Sequence, residues 1–396
     1  MLTALPLLCL LLQAAPPTAN AEPQGSAPAA GAPTGGAAQE AAAAQAPAGG
    51  AAAEPAIRAP LEWARAQGPI QVEVTRPRGA PALELALLRA DGTLVASAPI
   101  DAGIYDAAQM LPALLTVERA GWLQLLAGGA PVGTPLVVVP LRSPPPCRTV
   151  SSLRPDGKTR YTRVVGWGDK LLNEDDREAR DAKAGWIAGD PVITSGFRIL
   201  RDRDAVLHTD QGDVRVAMAP DAAPATVWNF LMLAESGFYD GTVFHRVVPL
   251  DREGRPFVVQ GGDPTGSGDG GPGWNLALEP STLQHDFGVI SMARADEPHS
   301  AGCQFFLALS REGTARLDGQ YAAFGYTVEG RAAIKRLADV EIADVSTGRP
   351  VTAPRLLSVE LVPAPPRTPG VDRWAQRITR DPPLLPPDAP VPNSPR

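Results

Sequence analysis

Gly241-Thr242-Val243-Phe244-His245-Arg246-Val247-Val248-Pro249, with Phe257-Val258-Val259-Gln260-Gly261-Gly262-Asp263-Pro264-Thr265-Gly266 after a short gap, decides how this 396-residue chain folds. Both runs are rich in β-branched and aromatic residues and end in Pro or Gly, the composition of strands bounded by turns. Alternation along a strand places Phe244, Arg246 and Val248 on one face and Val243, His245 and Val247 on the other. An arginine is almost never fully buried without a partner, so the face carrying Arg246 opens onto a groove. His245, on the opposite face, is expected to be a hydrogen-bonded core histidine. Two later blocks read as strands too: Gly288-Val289-Ile290-Ser291-Met292-Ala293-Arg294 and Ser300-Ala301-Gly302-Cys303-Gln304-Phe305-Phe306. Gln304 and Phe306 share a face, which leaves Phe305 for the core. An arginine beside exposed aromatics and glutamines makes a site with an apolar floor and a few directed donors. The glycine-rich stretch 266–273 has no Lys-Ser/Thr behind it, so it reads as a tight surface loop and not a phosphate cradle. His299 reads as a surface-loop residue.

Around these runs the pattern extends in both directions. Residues 206–209 and 214–218 flank Asp210-Gln211-Gly212, a hairpin. Pro224 opens a helix with Val227, Phe230, Leu231 and Ala234 on one face, and Gly237 closes it. A second helix is expected over 331–338, followed by a strand over 355–361. Short strands with only two helices predict a mainly β fold, a barrel-like sheet with helices at its ends.

With Leu317-Asp318-Gly319-Gln320-Tyr321-Ala322-Ala323-Phe324-Gly325 added, the ordered blocks closely resemble the cyclophilin-type peptidyl-prolyl cis–trans isomerases over about residues 204–363. The resemblance implies a closed β-barrel with two flanking helices, and prolyl isomerisation without a cofactor or metal. It implies that Arg246, Gln260 and Phe306 are the catalytic set, with Arg246 donating toward the prolyl nitrogen. Phe257, Val258, Phe306, Leu317 and Tyr321 would line the proline pocket. Gln260 would hydrogen-bond the substrate backbone, and Ala293, Arg294 and Gln304 would add binding contacts. The implied partners are proline-containing unfolded or extended polypeptides. Three departures stand out. Arg316 occupies a position where many eukaryotic members have Trp, which argues against tight cyclosporin binding. Tyr321 replaces a frequent His. Ten residues, 247–256, separate Arg246 from Phe257, more than the family's short turn, and the inserted hairpin threatens to restrict substrates or misplace Phe257. The alternative reading is therefore a module of the same fold with weak or no catalysis, binding proline-containing segments as a chaperone or scaffold.

The rest of the chain sets the context. Residues 2–12 form an apolar run followed by Ala19-Asn20-Ala21, although no Lys or Arg precedes Arg58. That reads as a signal peptide over 1–21, and so as an exported protein, periplasmic or extracellular, without membrane insertion. Residues 22–58 hold 16 Ala, 6 Gly and 5 Pro, with Ile57 the only large apolar side chain, and read as a disordered tether. Residues 59–142 carry alternating strands, at 83–87, 93–98, 115–117, 122–126 and 136–139, with Asp91-Gly92 as a hairpin turn. They predict a small β-sandwich, with no catalytic constellation, that binds an unidentified partner or acts as a spacer. Residues 143–203 read as a partly ordered connector with a strand over 160–165 and a helix start at Asn173. Residues 364–396 read as a Pro-rich tail with one helical turn near Trp374. The net charge of −7 gives no field that would draw nucleic acid. Beyond the leader only Cys147 and Cys303 remain, too few for a disulfide framework, and both are expected to be free thiols.

Overall fold

Expected alternation is realised first in the N-terminal strands of the computed structural model, which describes residues 54–154, 157–187, 189 and 192–376. The 2–12 segment, Ala19-Asn20-Ala21, almost all of the tether and the tail past Gln376 lie outside these residues. Leu83, Leu85 and Leu87 point into one core, while Ala86 and Leu88 of the same strand, Leu83–Leu88, are buried on its other face. This strand belongs to a six-stranded antiparallel sheet with Trp63–Arg65, Thr194–Arg201, Ala130–Arg142, Gly121–Ala127 and Leu94–Ile100. Asp91 and Gly92 make the expected turn, Gly92 at φ +81°. A three-stranded sheet, Ala56–Arg58, Gln71–Thr75 and Gly103–Asp106, packs over the inner face.

The sandwich is thus larger than 59–142. Ile57, expected in the tether, is 3% exposed inside its core and pairs with Val74. Strand Thr194–Arg201, expected in the connector, is a central strand of the larger sheet. Residues 115–117 are not a strand, because Pro112 opens a 3-10 turn, Pro112–Thr116, that buries Leu114 and exposes Leu115.

Much of the connector is ordered as well. Cys147–Leu153, Arg160–Trp167 and Lys170–Leu171 form an antiparallel ribbon, and helix Arg177–Lys183 lies beside it. The helix starts at Asp176, not Asn173, because the Asp176 carboxylate accepts from the Ala179 amide at 3.0 Å. The ribbon is held by the barrel: Val164 is buried in the barrel's core, and Cys147 and Trp167 pack against it.

The expected barrel is an eight-stranded antiparallel sheet. In spatial order it runs Arg246–Leu250, Pro256–Gly261, Phe305–Ala308, Val289–Met292, Ala323–Glu329, Gly212–Met218, Arg203–Thr209 and Leu356–Pro363. It curls around a core that includes Phe230, Phe244, Phe305, Ile290 and Phe324. The seam between its first and last strands is stitched by Phe244 N–H donating to Pro354 O at 2.8 Å and Leu356 N–H donating to Thr242 O at 2.9 Å. Helices Pro224–Glu235 and Arg331–Ala338 cover it, with Val227, Phe230, Leu231 and Ala234 buried as expected. Residues 364–376, expected to be tail, return across the molecule. Arg367 is 7% exposed, ion-paired with Asp202 at 3.1 Å and stacked 3.7 Å from the Trp122 ring centroid. The expected helical turn at Trp374 is present as Trp374–Gln376. No helix among the described residues is long and apolar enough to cross a membrane.

Candidate active site

Cross-strand register builds the site. Arg246 pairs with Gln260, Gln260 with Phe306, and Phe306 with Ser291, so four neighbouring strands present one row on the groove face. The next row, Val247, Val259, Leu307 and Ile290, faces the core. Phe244 departs from the expected alternation: it is fully buried, like Val247. The strand begins only at Arg246, and the preceding residues turn to make the seam, which resets the face. Phe305 is in the core and Gln304 and Phe306 on the groove side, as expected.

Arg246 is half-buried and has no carboxylate partner among the described residues. Its Nη1 donates to Gln260 Oε1 at 3.1 Å. Gln260 Nε2 donates to Gln304 Oε1 at 3.0 Å, and Gln304 Nε2 donates to the carbonyls of Gly268 and Gly270, each at 2.9 Å. Each amide's orientation is thereby set by the next, and the chain ends on rigid backbone. Burial pulls the Arg246 guanidinium below its ordinary range, although it stays protonated at any physiological pH.

Beside this relay lies the apolar pocket. Val258, Phe306 and Leu317 are buried together, and Val248, Phe257, Ala293 and Tyr321 pack against them half-exposed. Phe306 meets Tyr321 edge-on, with centroids 5.8 Å apart. Arg294 stacks 4.6 Å from the Tyr321 centroid and donates to Gln320 O at 3.0 Å. Arg316 stacks 4.4 Å from the Phe257 centroid. All ten residues singled out in the sequence therefore converge on one groove.

Several supporting residues had no local signal. His285, fully buried, stacks on Phe306 at 5.8 Å. Its Nδ1 hydrogen-bonds Asp318 at 3.0 Å and its Nε2 meets Ser291 Oγ at 2.9 Å, a pattern that fits a neutral ring. Burial holds the His285 pKa below its ordinary range against the pull of Asp318. Burial raises the pKa of Asp318, but hydrogen bonds from His285 and Arg311 outweigh it and hold the carboxyl at about 2. Asp263 organises the glycine loop, accepting from Thr265 N at 2.7 Å and from Gly270 N at 3.1 Å. From outside the barrel, Trp167 Nε1 donates to Gly319 O at 2.9 Å, and Arg154 pairs with Asp296 at 2.7 Å. His245 corrects an expectation: both ring nitrogens are buried without a hydrogen-bond partner, because the chain bends there instead of continuing a strand. His299 is an exposed loop residue, as expected, and its Nδ1 accepts from Leu278 N. Cys147 and Cys303 are free thiols, and burial raises the former to about 11 and the latter to about 12.

The same segment matches known proteins. Residues 205–361 match the family described as cyclophilin type peptidyl-prolyl cis-trans isomerase. A peptidyl-prolyl cis-trans isomerase of Synechococcus elongatus is 37% identical over 158 residues, 40% of this chain and 95% of that relative. A peptidyl-prolyl cis-trans isomerase-like 1 of Gibberella zeae is 36% identical over 40% of this chain and 93% of its own length. With the barrel, its Arg246-centred groove and these relatives in agreement, the chain belongs to the cyclophilin-type peptidyl-prolyl cis–trans isomerases and carries their activity.

Proposed function

We propose that this isomerase acts on X–Pro bonds in extended or unfolded polypeptides, with Arg246 as the group that lowers the rotation barrier. The X–Pro bond resists rotation by ~18–20 kcal/mol because the nitrogen lone pair is delocalised into the carbonyl. As the bond twists, that lone pair localises and becomes an acceptor. A guanidinium aimed at it stabilises the twisted state more than either planar state, so it accelerates the reaction and does not merely bind substrate. The observation that carries this reading is the half-buried Arg246 guanidinium, unneutralised by any carboxylate among the described residues and held by Gln260 beside the apolar pocket of Val258, Phe306 and Leu317. Gln260 and Gln304 keep the donor aimed, and Val258, Phe306 and Leu317 hold the ring. This rotation transfers no proton and breaks no bond.

The role extends to exported clients. The apolar 2–12 segment and Ala19-Asn20-Ala21 support export, and the clients are then proline-containing chains folding in the periplasm or outside the cell. The test is cis-to-trans conversion of an X–Pro tetrapeptide by the full chain. Arg246→Ala is expected to lower kcat/KM by roughly 10²–10³-fold, the range for removing one pre-aimed donor. A variant matching wild type would defeat the assignment of Arg246. Fractionation of cells expressing the full chain tests export, and a purely cytoplasmic protein would exclude it.

A further inference from the structure

The inserted turn that threatened to obstruct the groove is tied to its wall. Strands Arg246–Leu250 and Pro256–Gly261 form a hairpin whose last pair is Leu250 with Pro256. The turn between them closes through Asp251 N–H donating to Arg255 O at 2.8 Å and Gly254 N–H donating to Asp251 O at 3.0 Å. The Asp251 side chain is only 8% exposed and folds back under its own turn. Its Oδ1 accepts from the amides of Glu253 at 2.9 Å and Arg255 at 3.0 Å. Its Oδ2 accepts from Arg255 Nη2 at 2.8 Å and, from a different part of the chain, Arg316 Nη1 at 3.1 Å.

Arg316 closes the circuit. It leaves the end of the short helical segment 311–317, which is pinned to the same hairpin by Ser310 Oγ donating to Pro256 O at 2.7 Å. Arg316 also donates to Gly313 O, and its guanidinium lies over the Phe257 ring. Phe257 itself is half-exposed, packs against the pocket cluster and carries Arg316 over its ring. A guanidinium held on one edge by a carboxylate keeps its plane over the ring, whereas a free arginine of this exposure would sample many rotamers.

We propose that Asp251 is a positioning residue: through Arg316 it holds Phe257 as one wall of the proline pocket, so that the insertion supports the site. The proposal rests on Phe257 lining that pocket. It explains together the two departures from the family pattern, since the extra turn supplies the carboxylate that the arginine needs. An aromatic side chain at 316 would require no such anchor.

The test uses the full chain and an X–Pro tetrapeptide, with kcat and KM measured separately. Asp251→Asn keeps the Oδ1 acceptor that closes the turn and removes the charge, so the hairpin is expected to fold. It should raise KM roughly fivefold and leave kcat within about twofold, the scale of one cation–π contact. Arg316→Gln should do the same, and the double variant should be no worse than Arg316→Gln alone, because the two act through one contact. Arg255→Ala, which touches Asp251 but not Phe257, should leave KM within about twofold. A wild-type KM for Asp251→Asn, or costs that add in the double variant, would overturn the latch. If those results come with an inactive Arg246→Ala, the latch falls alone; if Arg246→Ala turns over at the wild-type rate, the pocket assignment and the latch fall together.

Discussion

His285 shows how a single buried side chain shapes the site from below. Its ring supports Phe306, and burial favours the neutral form, whose nitrogens meet Asp318 and Ser291 Oγ. Because its folded pKa lies below the unfolded value of about 6.5, the unfolded state takes up a proton that the folded state refuses. The stability this residue contributes is therefore full above about pH 6.5 and is lost as the pH falls from there toward the folded value. His245, also depressed by burial, acts with the same sign. The expected outcome is that, between about pH 7 and about pH 5, the melting midpoint of the wild type changes in the destabilising direction relative to that of His285→Gln. Thermal melts at several pH values measure it, and equal slopes in the two proteins would reject it. None of this could be read locally. Arg246, Gln260 and Phe306 stood out because they occur in the order of the family's blocks, whereas a histidine followed by Asp286 carries no such signal.

Among the elements, the ribbon of Cys147–Leu153, Arg160–Trp167 and Lys170–Leu171 changes its meaning most. Pro144-Pro145-Pro146 ahead of it breaks the chain, so in the sequence it read as a connector. Val164 is buried in the barrel's core and Trp167 and Cys147 pack against it, which ties the ribbon to the barrel. Trp167 holds Gly319, which sits at φ +69° two residues before Tyr321. Trp167→Phe keeps the ring and removes the donor. It should cost about 0.5–1.5 kcal/mol of stability and raise KM for an X–Pro peptide more than it lowers kcat. Denaturant titration and peptide kinetics check the two parts. An unchanged KM would show that the ribbon only packs against the barrel. Barrel strands such as Arg203–Thr209, by contrast, were legible because buried Ala205 and Leu207 alternate with half-exposed Val206 and His208, whereas Val289–Met292 and Phe305–Ala308 are buried on both faces and read as short apolar runs.

At the largest scale the described residues, 54 to 376, pack as one compact body where the sequence suggested a string of parts. The segment 364–376 runs from the last barrel strand over the sandwich. Arg367 is anchored to Asp202 and Trp122, and Gly370 N–H donates to Gly92 O at 2.8 Å. Arg373 then pairs with the fully buried Asp204 at 2.7 Å, and Trp374 meets Tyr326 edge-on at 4.5 Å. Removing one partner of such a buried pair leaves an uncompensated charge, so Arg367→Ala should cost about 3–5 kcal/mol. Sandwich and barrel should unfold in a single transition in the wild type. Chemical denaturation followed by both far-ultraviolet circular dichroism and tryptophan fluorescence tests this, and two separated transitions would contradict it.

Strand alternation and turn residues marked the mainly β, barrel-like sheet and its helices in the sequence, and the ordered blocks that resemble the family pointed to the ten residues that the fold brings to one groove. The sequence also marked the insertion and Arg316 as departures without showing that they meet. Tertiary structure alone decided that Ile57 and strand Thr194–Arg201 complete the sandwich, and that the ribbon and the 364–376 strap are load-carrying parts of one body. It alone placed Asp251 on Arg316. These depend on pairings between residues tens to hundreds of positions apart, where a charge or a lone apolar side chain carries no periodic signal and acquires its partner only when the chain has folded.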